Sequence, residues 1–324
     1  MSARFLVRKV VQSALTIFAI VILNFFLFRM MPGSPERVLL RNPNLSQRVI
    51  EETRKRWGLD KPLIPDQLVA YVQSTFRGDL GYSLKFRGKP VTEVIGERFW
   101  PTVILIGLAE ALAITAGLLI GAYAGWRRGG AFDRAGNGMS LILYSMPYFV
   151  IGMPLIIIFA AGLGWFPTSG MTTSGGGSAG GISVFFDFLR HLVLPLATVT
   201  LGLIGGYSIL MRSSIIETRA EDYVTTARAK GITDGRVLRT HAFPNAMLPM
   251  VTLIAINLGY VVGGAITAEV VFNWPGIGTL TVDALSARDY PVLQGIFLLL
   301  SVCVVVANLV ADILYGFLDP RVAS

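Results

Sequence analysis

Few side chains in this sequence have the chemistry for a reaction centre, and their spacing keeps them apart. There are two histidines, His191 and His241, and a single cysteine, Cys303. Cys303 falls inside an apolar run, so neither a disulfide framework nor a cysteine metal site can be built on it. A whole apolar stretch separates the two histidines, with His191 expected near the outer face and His241 on the cytoplasmic side. That separation rules out a Ser-His pair, and no His-Glu-x-x-His spacing for zinc occurs. A Gly-x-x-x-x-Gly-Lys-Ser/Thr phosphate loop is also missing: Gly88-Lys89 is followed by Pro90 and lacks the upstream glycine. The sequence therefore predicts no catalytic residue, no metal site and no cofactor held by this chain.

Two features carry chemistry of another kind. Glu110 sits well inside an apolar stretch, where an ionisable group is costly enough to be a functional candidate. It is either a group lining a pathway, together with Asn257, or a hydrogen-bonded glutamate facing another helix near Asn257 or Asn24. The second feature is the run Glu221-Asp222-Tyr223-Val224-Thr225-Thr226-Ala227-Arg228-Ala229-Lys230-Gly231. Acidic groups at its start and basic groups at its end complement a helix dipole, and Gly231 suits the left-handed residue that closes a helix. Thr233 then caps a second helix through Val237 and Leu238 to about His241, whose extension Pro244 and Pro249 limit. The expected shape is helix Asp222 to Lys230, a glycine corner, and another short helix.

The elements that position these groups follow from composition. The chain of 324 residues is 53% hydrophobic and only 15% charged, with a mean hydropathy of +0.62. That is too apolar for a soluble domain, so the class is an integral membrane protein, and its long apolar stretches make it all-α. A span needs roughly 20 mostly apolar residues. Six stretches qualify, at 10–28, 102–126, 139–161, 192–211, 248–271 and 292–316. The first is too long for a signal-peptide core and reads as an uncleaved anchor. A net charge of +8 raises nucleic acid as a partner, but the basic residues sit between apolar runs without an aromatic platform, so membrane lipid is the expected surroundings.

Lys and Arg in the short loops set orientation. One side holds Arg4, Arg8 and Lys9, then Arg127, Arg128 and Arg134, then Arg212, Arg219, Arg228, Lys230, Arg236 and Arg239, and finally Arg321. The opposite short loops hold Arg190 and Arg288. Both termini are thus expected in the cytoplasm. The parts are the N-terminus and first helix (1–28), an extracytoplasmic segment (29–101), a five-helix core (102–316) with a cytoplasmic loop (212–247), and a cytoplasmic tail (317–324). The outer segment is expected to fold as a small cap with helices at 45–56 and 65–76, and the glycine-rich stretch 175–181 is a flexible outer loop.

Small residues let membrane helices approach closely. Gly117, Gly121 and Gly125 mark one such face, Gly202, Gly205 and Gly206 a second, and Gly259, Gly263 and Gly264 a third. Pro147 and Pro154, with Gly152 between them, predict a kink within the third span. Glu269 and Asp312 lie near span ends, where they are expected to reach the interface.

The run near Gly231 also carries a family resemblance. Permeases of ATP-binding-cassette (ABC) importers share the signature Glu-Ala-Ala, three residues, Gly, nine residues, Ile, any residue, Leu-Pro. Those positions fall here on Thr225, Thr226, Ala227, Gly231, His241, Phe243 and Pro244, with departures at Thr225, Thr226 and His241. Asp222-Tyr223-Val224, Thr226-Ala227-Arg228-Ala229-Lys230-Gly231, His241-Ala242 and Asn245-Ala246 are similar to the dipeptide/oligopeptide/nickel branch. Pro32-Gly33-Ser34-Pro35, Gly58-Leu59-Asp60-Lys61-Pro62-Leu63 and Gly78-Asp79-Leu80-Gly81-Tyr82-Ser83 resemble the outer segment of that branch's first permease subunit. Ser145-Met146-Pro147 with Phe149, Trp274-Pro275-Gly276-Ile277-Gly278, Arg288-Asp289 and Asp319-Pro320-Arg321 continue the match along the chain.

The resemblance implies a type I importer permease fold of six transmembrane helices in the inner membrane of a prokaryote. It implies as partners a second related permease, two cytoplasmic ATPase subunits that bind ATP and Mg, and an extracytoplasmic peptide-binding protein. The cargo would be a dipeptide or oligopeptide, with a nickel complex as the alternative within the branch and an ion-coupled secondary transporter as the rival outside it. Coupling to the ATPases would run through Asp222, Tyr223, Ala227, Arg228, Lys230, Gly231, His241 and Pro244. Closure of the ATPase subunits would pull on this elbow and turn the bundle outward in an alternating-access cycle.

Overall fold

The computed structural model describes residues 3–30, 48, 51, 62–86, 88–173, 181–261 and 265–318. The expected helix at 45–56, the glycine-rich stretch, Gly263 and Gly264, and the motifs at 32–35, 58–61 and 319–321 lie largely or wholly outside these residues. Among the described residues the structure is helical, with one isolated bridge between Tyr82 and Pro90. Among the described residues five helices are long and apolar enough to cross a membrane, or six if one bent pair counts as a single span.

The chain divides into two compact units, Met1–Thr102 with Val262–Ile266 and Pro275–Ser324, and Val103–Val261 with Thr267–Trp274. The first unit contains α1 (Ala3–Arg29), a wide π-type turn at Leu63–Gln67 leading into α2 (Leu68–Phe76), the start of α3 (Val91–Trp126), α11 (Ile277–Ser286) and α12 (Tyr290–Leu318). α3 starts eleven residues before the span expected from hydropathy. Val91, Val94 and Ile95 bury one face of this added stretch against Ile277, Leu280, Val292 and Ile296. Asn24 of α1 donates to the Tyr71 hydroxyl (3.2 Å) and to the Gln294 carbonyl (3.1 Å), tying the outer segment to α1 and α12. Asp312 pairs with Lys9 at 2.8 Å, so it is neutralised by a neighbouring helix.

Two motifs far apart in sequence meet in this unit. Asp289 is fully buried and accepts from the Ser83 hydroxyl (2.5 Å), the Leu84 amide (3.0 Å) and the Lys85 amide (2.9 Å). A buried carboxylate needs such donors, and Asp289 thereby fixes the loop that follows Gly78 onto the start of α12.

The second unit holds the rest of α3, then α4 (Ala131–Ser145), α5 (Tyr148–Leu155) with a π-type continuation at Ile156–Gly162, α6 (Gly181–Arg219), α7 (Asp222–Ala229), α8 (Asp234–Val237), a π-type turn at Leu238–Ala242, α9 (Phe243–Tyr260) and α10 (Ile266–Val271). The third span departs from expectation. Instead of a kinked helix, α4 stops at Ser145 and α5 leaves at 103°. The residue before a proline avoids the helical region, and Met146 is accordingly extended (φ −85°, ψ 127°). Gly152 does not ease a bend: a methyl there would lie 3.1 Å from the Phe272 ring and 3.3 Å from Thr198 Cγ2, so it serves close packing.

The fifth span is also corrected, since it ends at Tyr260 rather than continuing to 271, and α10 is a separate short helix. Glu269 of α10 is fully buried instead of reaching an interface. The glycine faces on α3 and α6 pack as expected. Methyls at Gly117 and Gly121 would come within 2.5 Å of Tyr207 Cβ and 2.4 Å of the Ser208 carbonyl, and one at Gly205 within 2.4 Å of the Ser140 carbonyl. The helices α3, α6 and α4 therefore touch at backbone distance.

Candidate functional site

The candidate site is the elbow formed by α7, Gly231 and α8, with the buried groups beneath it. Gly231 has φ +76°, its amide donates to the Arg228 carbonyl (2.9 Å), and the Ile232 amide donates to the Ala227 carbonyl (3.3 Å). That pair of bonds is the Schellman closure, which calls for glycine at the left-handed position and an apolar residue after it. Ile232 supplies the apolar contact by packing on the cluster that holds Val224 and Ala227.

α7 is two-faced. Val224 and Ala227 are buried among Trp126, Met211, Ile215, Val237 and Met250. Asp222, Tyr223, Thr225, Thr226 and Lys230 are exposed, with Tyr223 40% accessible. Partial burial, and then the Glu221 carboxylate, raise the Tyr223 phenol above its ordinary pKa, so it remains neutral. Arg228 is half-buried and pairs with Asp234 at 3.1 Å. Among the residues the sequence assigns to this site, Ala227 is internal, packed inside the elbow. Lys230 caps α7 and is not part of it.

The second arm of the elbow is longer than the sequence implies. Thr233 stands at the start of α8, but its side chain makes no capping bond; its carbonyl accepts from the Arg236 and Val237 amides, both at 2.9 Å. The helix does not stop near His241. It widens by a π-type turn, takes Pro244 in the first turn of α9 and carries Pro249 inside, so that one apolar helix runs from Asp234 to Gly259. The π-type turn directly before Pro244 is the local widening that accommodates a residue without an N–H inside a continuing helix. His241 is half-buried, and its carbonyl accepts from Asn245 Nδ2 at 2.7 Å; Pro244 is exposed.

Glu110 is buried and accepts from the Tyr207 hydroxyl, which in turn accepts from Asn257 Nδ2 at 2.8 Å. The structure thus joins Glu110 and Asn257 through a residue that sequence reasoning missed. The only signal was a phenol next to Gly206 inside an apolar helix. Asn24 takes no part, being held in the first unit. Tyr207 and Asn257 border an open cavity of about 720 Å³ that Tyr144, Tyr148, Gly202 and Gly206 also line.

A carboxylate–guanidinium pair was likewise not foreseen. Asp133 is buried, and Arg212 holds it in a two-point pair, with Nη2 to Oδ2 at 3.0 Å; the Gly129 amide donates to the same carboxylate at 2.8 Å. It fastens the turn after α3 to α6. No group of three or more metal-ligating side chains occurs among the described residues.

A bundle of long apolar helices with a two-faced helix at a glycine corner defines a membrane-embedded helical protein. Comparison with known proteins makes this specific. The family model described as "Binding-protein-dependent transport system inner membrane component" matches residues 117–324, and its N-terminal companion matches residues 2–106. The chain belongs to this family of ABC transporter permeases.

A probable peptide ABC transporter permease of Sinorhizobium fredii is 37% identical over 98% of both chains. A di/tripeptide transport system permease of Pseudomonas aeruginosa is 38% identical over 98% of both chains, and a glutathione transport system permease of Escherichia coli 35% identical over 98% of both. A solved structure of the MetNI methionine ABC transporter in inward-facing conformations matches with a TM-score of 0.58 at 16% identity, covering 72% of this chain and 99% of that one. That likeness is one of fold.

Proposed function

We propose that this chain is the permease subunit of an ABC importer that carries dipeptides or oligopeptides across the inner membrane of a prokaryote. The observation that carries the proposal is the end-to-end agreement with permeases named for peptide, di/tripeptide and glutathione transport. Its partners are a second related permease, two cytoplasmic ATPase subunits that hold ATP and Mg, and an extracytoplasmic peptide-binding protein.

In this proposal the exposed face of α7, with Asp222 and Tyr223, and the adjoining Lys230 form the docking surface for an ATPase subunit. Gly231 sets the angle of the elbow, while Arg228, Ala227, His241 and Pro244 hold α7 and the following helix in place. Both chain termini lie in the cytoplasm, and the segment between α1 and α3 faces the binding protein. Asn257 and Tyr207 line the peptide's route, and Glu110 orients the Tyr207 hydroxyl. The energy comes from ATP hydrolysed in the partner subunits and reaches this chain as movement of α7.

Affinity purification of the tagged chain from its native membrane, followed by mass spectrometry, tests the assembly. A related permease and ABC ATPase subunits should co-purify in fixed ratio. Recovery of the chain alone, still competent for peptide uptake, would contradict the proposal.

A further inference from the structure

The elbow touches the two longest helices of its unit at one aromatic residue. Trp126 is the last residue of α3 and is buried, 8% exposed. Its carbonyl accepts from Arg219 Nη1, at the end of α6, at 2.8 Å. The guanidinium of Arg219 lies 5.7 Å from the indole centroid, and that of Arg228, from α7, lies 4.8 Å from it. An aromatic face attracts a cation at these distances, most strongly where water is excluded, and an indole does so best. Asp234 pairs with Arg228 from the other arm of the elbow and fixes the guanidinium at this ring.

Behind the indole, α3 and α6 are in close contact. A methyl at Gly125 would lie 2.7 Å from the Arg212 carbonyl and 2.9 Å from Ile215 Cβ, so the two helices have no slack at the turn that carries Trp126. Close-packed elements of this kind transmit displacement and do not absorb it. On its buried side α7 contributes Val224 and Ala227 to the same apolar cluster as Trp126, Met211 and Ile215. A shift of α7 therefore either carries Trp126 with it or breaks both the cation contact and this packing.

We propose that Trp126 is the joint through which displacement of α7 reaches α3 and α6, a positioning residue for coupling with no contact to cargo or nucleotide. The proposal rests on α7 being the ATPase-docking helix. Tyr223, 40% exposed at the edge of the buried face of α7, would receive the push, and Trp126 would pass it on.

The test uses the complete complex in liposomes, reading peptide delivered per ATP hydrolysed together with ATPase co-purification. Trp126→Leu keeps the position apolar, at smaller volume, and removes the ring face. It should retain the ATPase subunits and hydrolysis while delivery per ATP falls about tenfold, and Trp126→Phe, which restores a weaker face, should recover much of the loss. Arg228→Gln should lower delivery per ATP as well, and the double variant should be no worse than the poorer single one, because both act through one contact.

Additive losses in the double variant, equal failure of the Leu and Phe variants, or loss of the ATPase subunits from Trp126→Leu would each overturn the joint. The docking premise is read separately, by cross-linking a Tyr223→Cys chain to the ATPase subunit in otherwise wild-type complex. Failure to cross-link there removes the premise. Cross-linking together with wild-type delivery by Trp126→Leu removes only the joint.

Discussion

Replacing Gly121 with alanine probes the packing on which the transport machinery is mounted. The added carbon would lie 2.4 Å from the Ser208 carbonyl, 2.8 Å from Met211 Cβ and 3.1 Å from the Arg212 amide. Carbon contacts are comfortable at about 3.5–4.0 Å, so α3 and α6 must part by about 1 Å. None of the three atoms sits on the far end of a flexible side chain, and none can swing aside. Separation also loosens the flanking contacts at Gly117 and Gly125. Overpacking of this kind costs about 1–3 kcal/mol. At roughly 2 °C per kcal/mol for a chain of this length, the melting temperature should fall by roughly 2–6 °C. Thermal unfolding of the purified chain in detergent measures it. Gly107→Ala is the control, since it sits in the same helix with nothing within 4 Å of the added carbon, and it should not destabilise. Equal melting of Gly121→Ala, Gly107→Ala and wild type would refute the close approach of α3 and α6.

Two further outcomes follow from the same geometry. At Gly231 a side chain meets no atom within 4 Å, so the penalty is purely the left-handed backbone, about 1–2 kcal/mol for alanine, more for valine and little for asparagine. ATPase co-purification and transport should therefore rank glycine and asparagine above alanine and alanine above valine, and any other order contradicts the elbow geometry. Asp289→Ala strands the buried donors of Ser83 and Leu84 at about 1–3 kcal/mol each and releases the part-buried Lys85 amide. Amide exchange at Leu84 and Lys85 should accelerate strongly, and less so in Asp289→Asn; unchanged exchange counts against the anchor.

Much of the bundle was legible because lipid as solvent demands long apolar runs, which length and composition alone reveal. The elbow was legible too, since its charge order and Gly231 encode the helix and its closure locally. What depended on tertiary partners was not. The early start of α3 was hidden among Glu93, Glu97 and Arg98, although Val91, Val94 and Ile95 repeat at helical spacing and would have betrayed a buried face. Pro244 reads as a limit on the helix, but the π-type turn at Leu238–Ala242 lets the helix continue through it. Pro147 reads as a kink, whereas the extended Met146 turns the chain by 103°. Tyr207 between Glu110 and Asn257, and Asp133 with Arg212, depend on how helices rotate about their axes. Nothing in one sequence specifies that rotation.

The central claim is that ATP, acting through partner subunits, drives peptide import through this chain. Uptake of labelled peptide into liposomes holding the purified complex, with binding protein on the cargo side, measures it directly. Uptake should require ATP together with the binding protein, and should be indifferent to collapse of proton and sodium gradients. Uptake driven by an ion gradient with no ATPase subunit present would contradict the account.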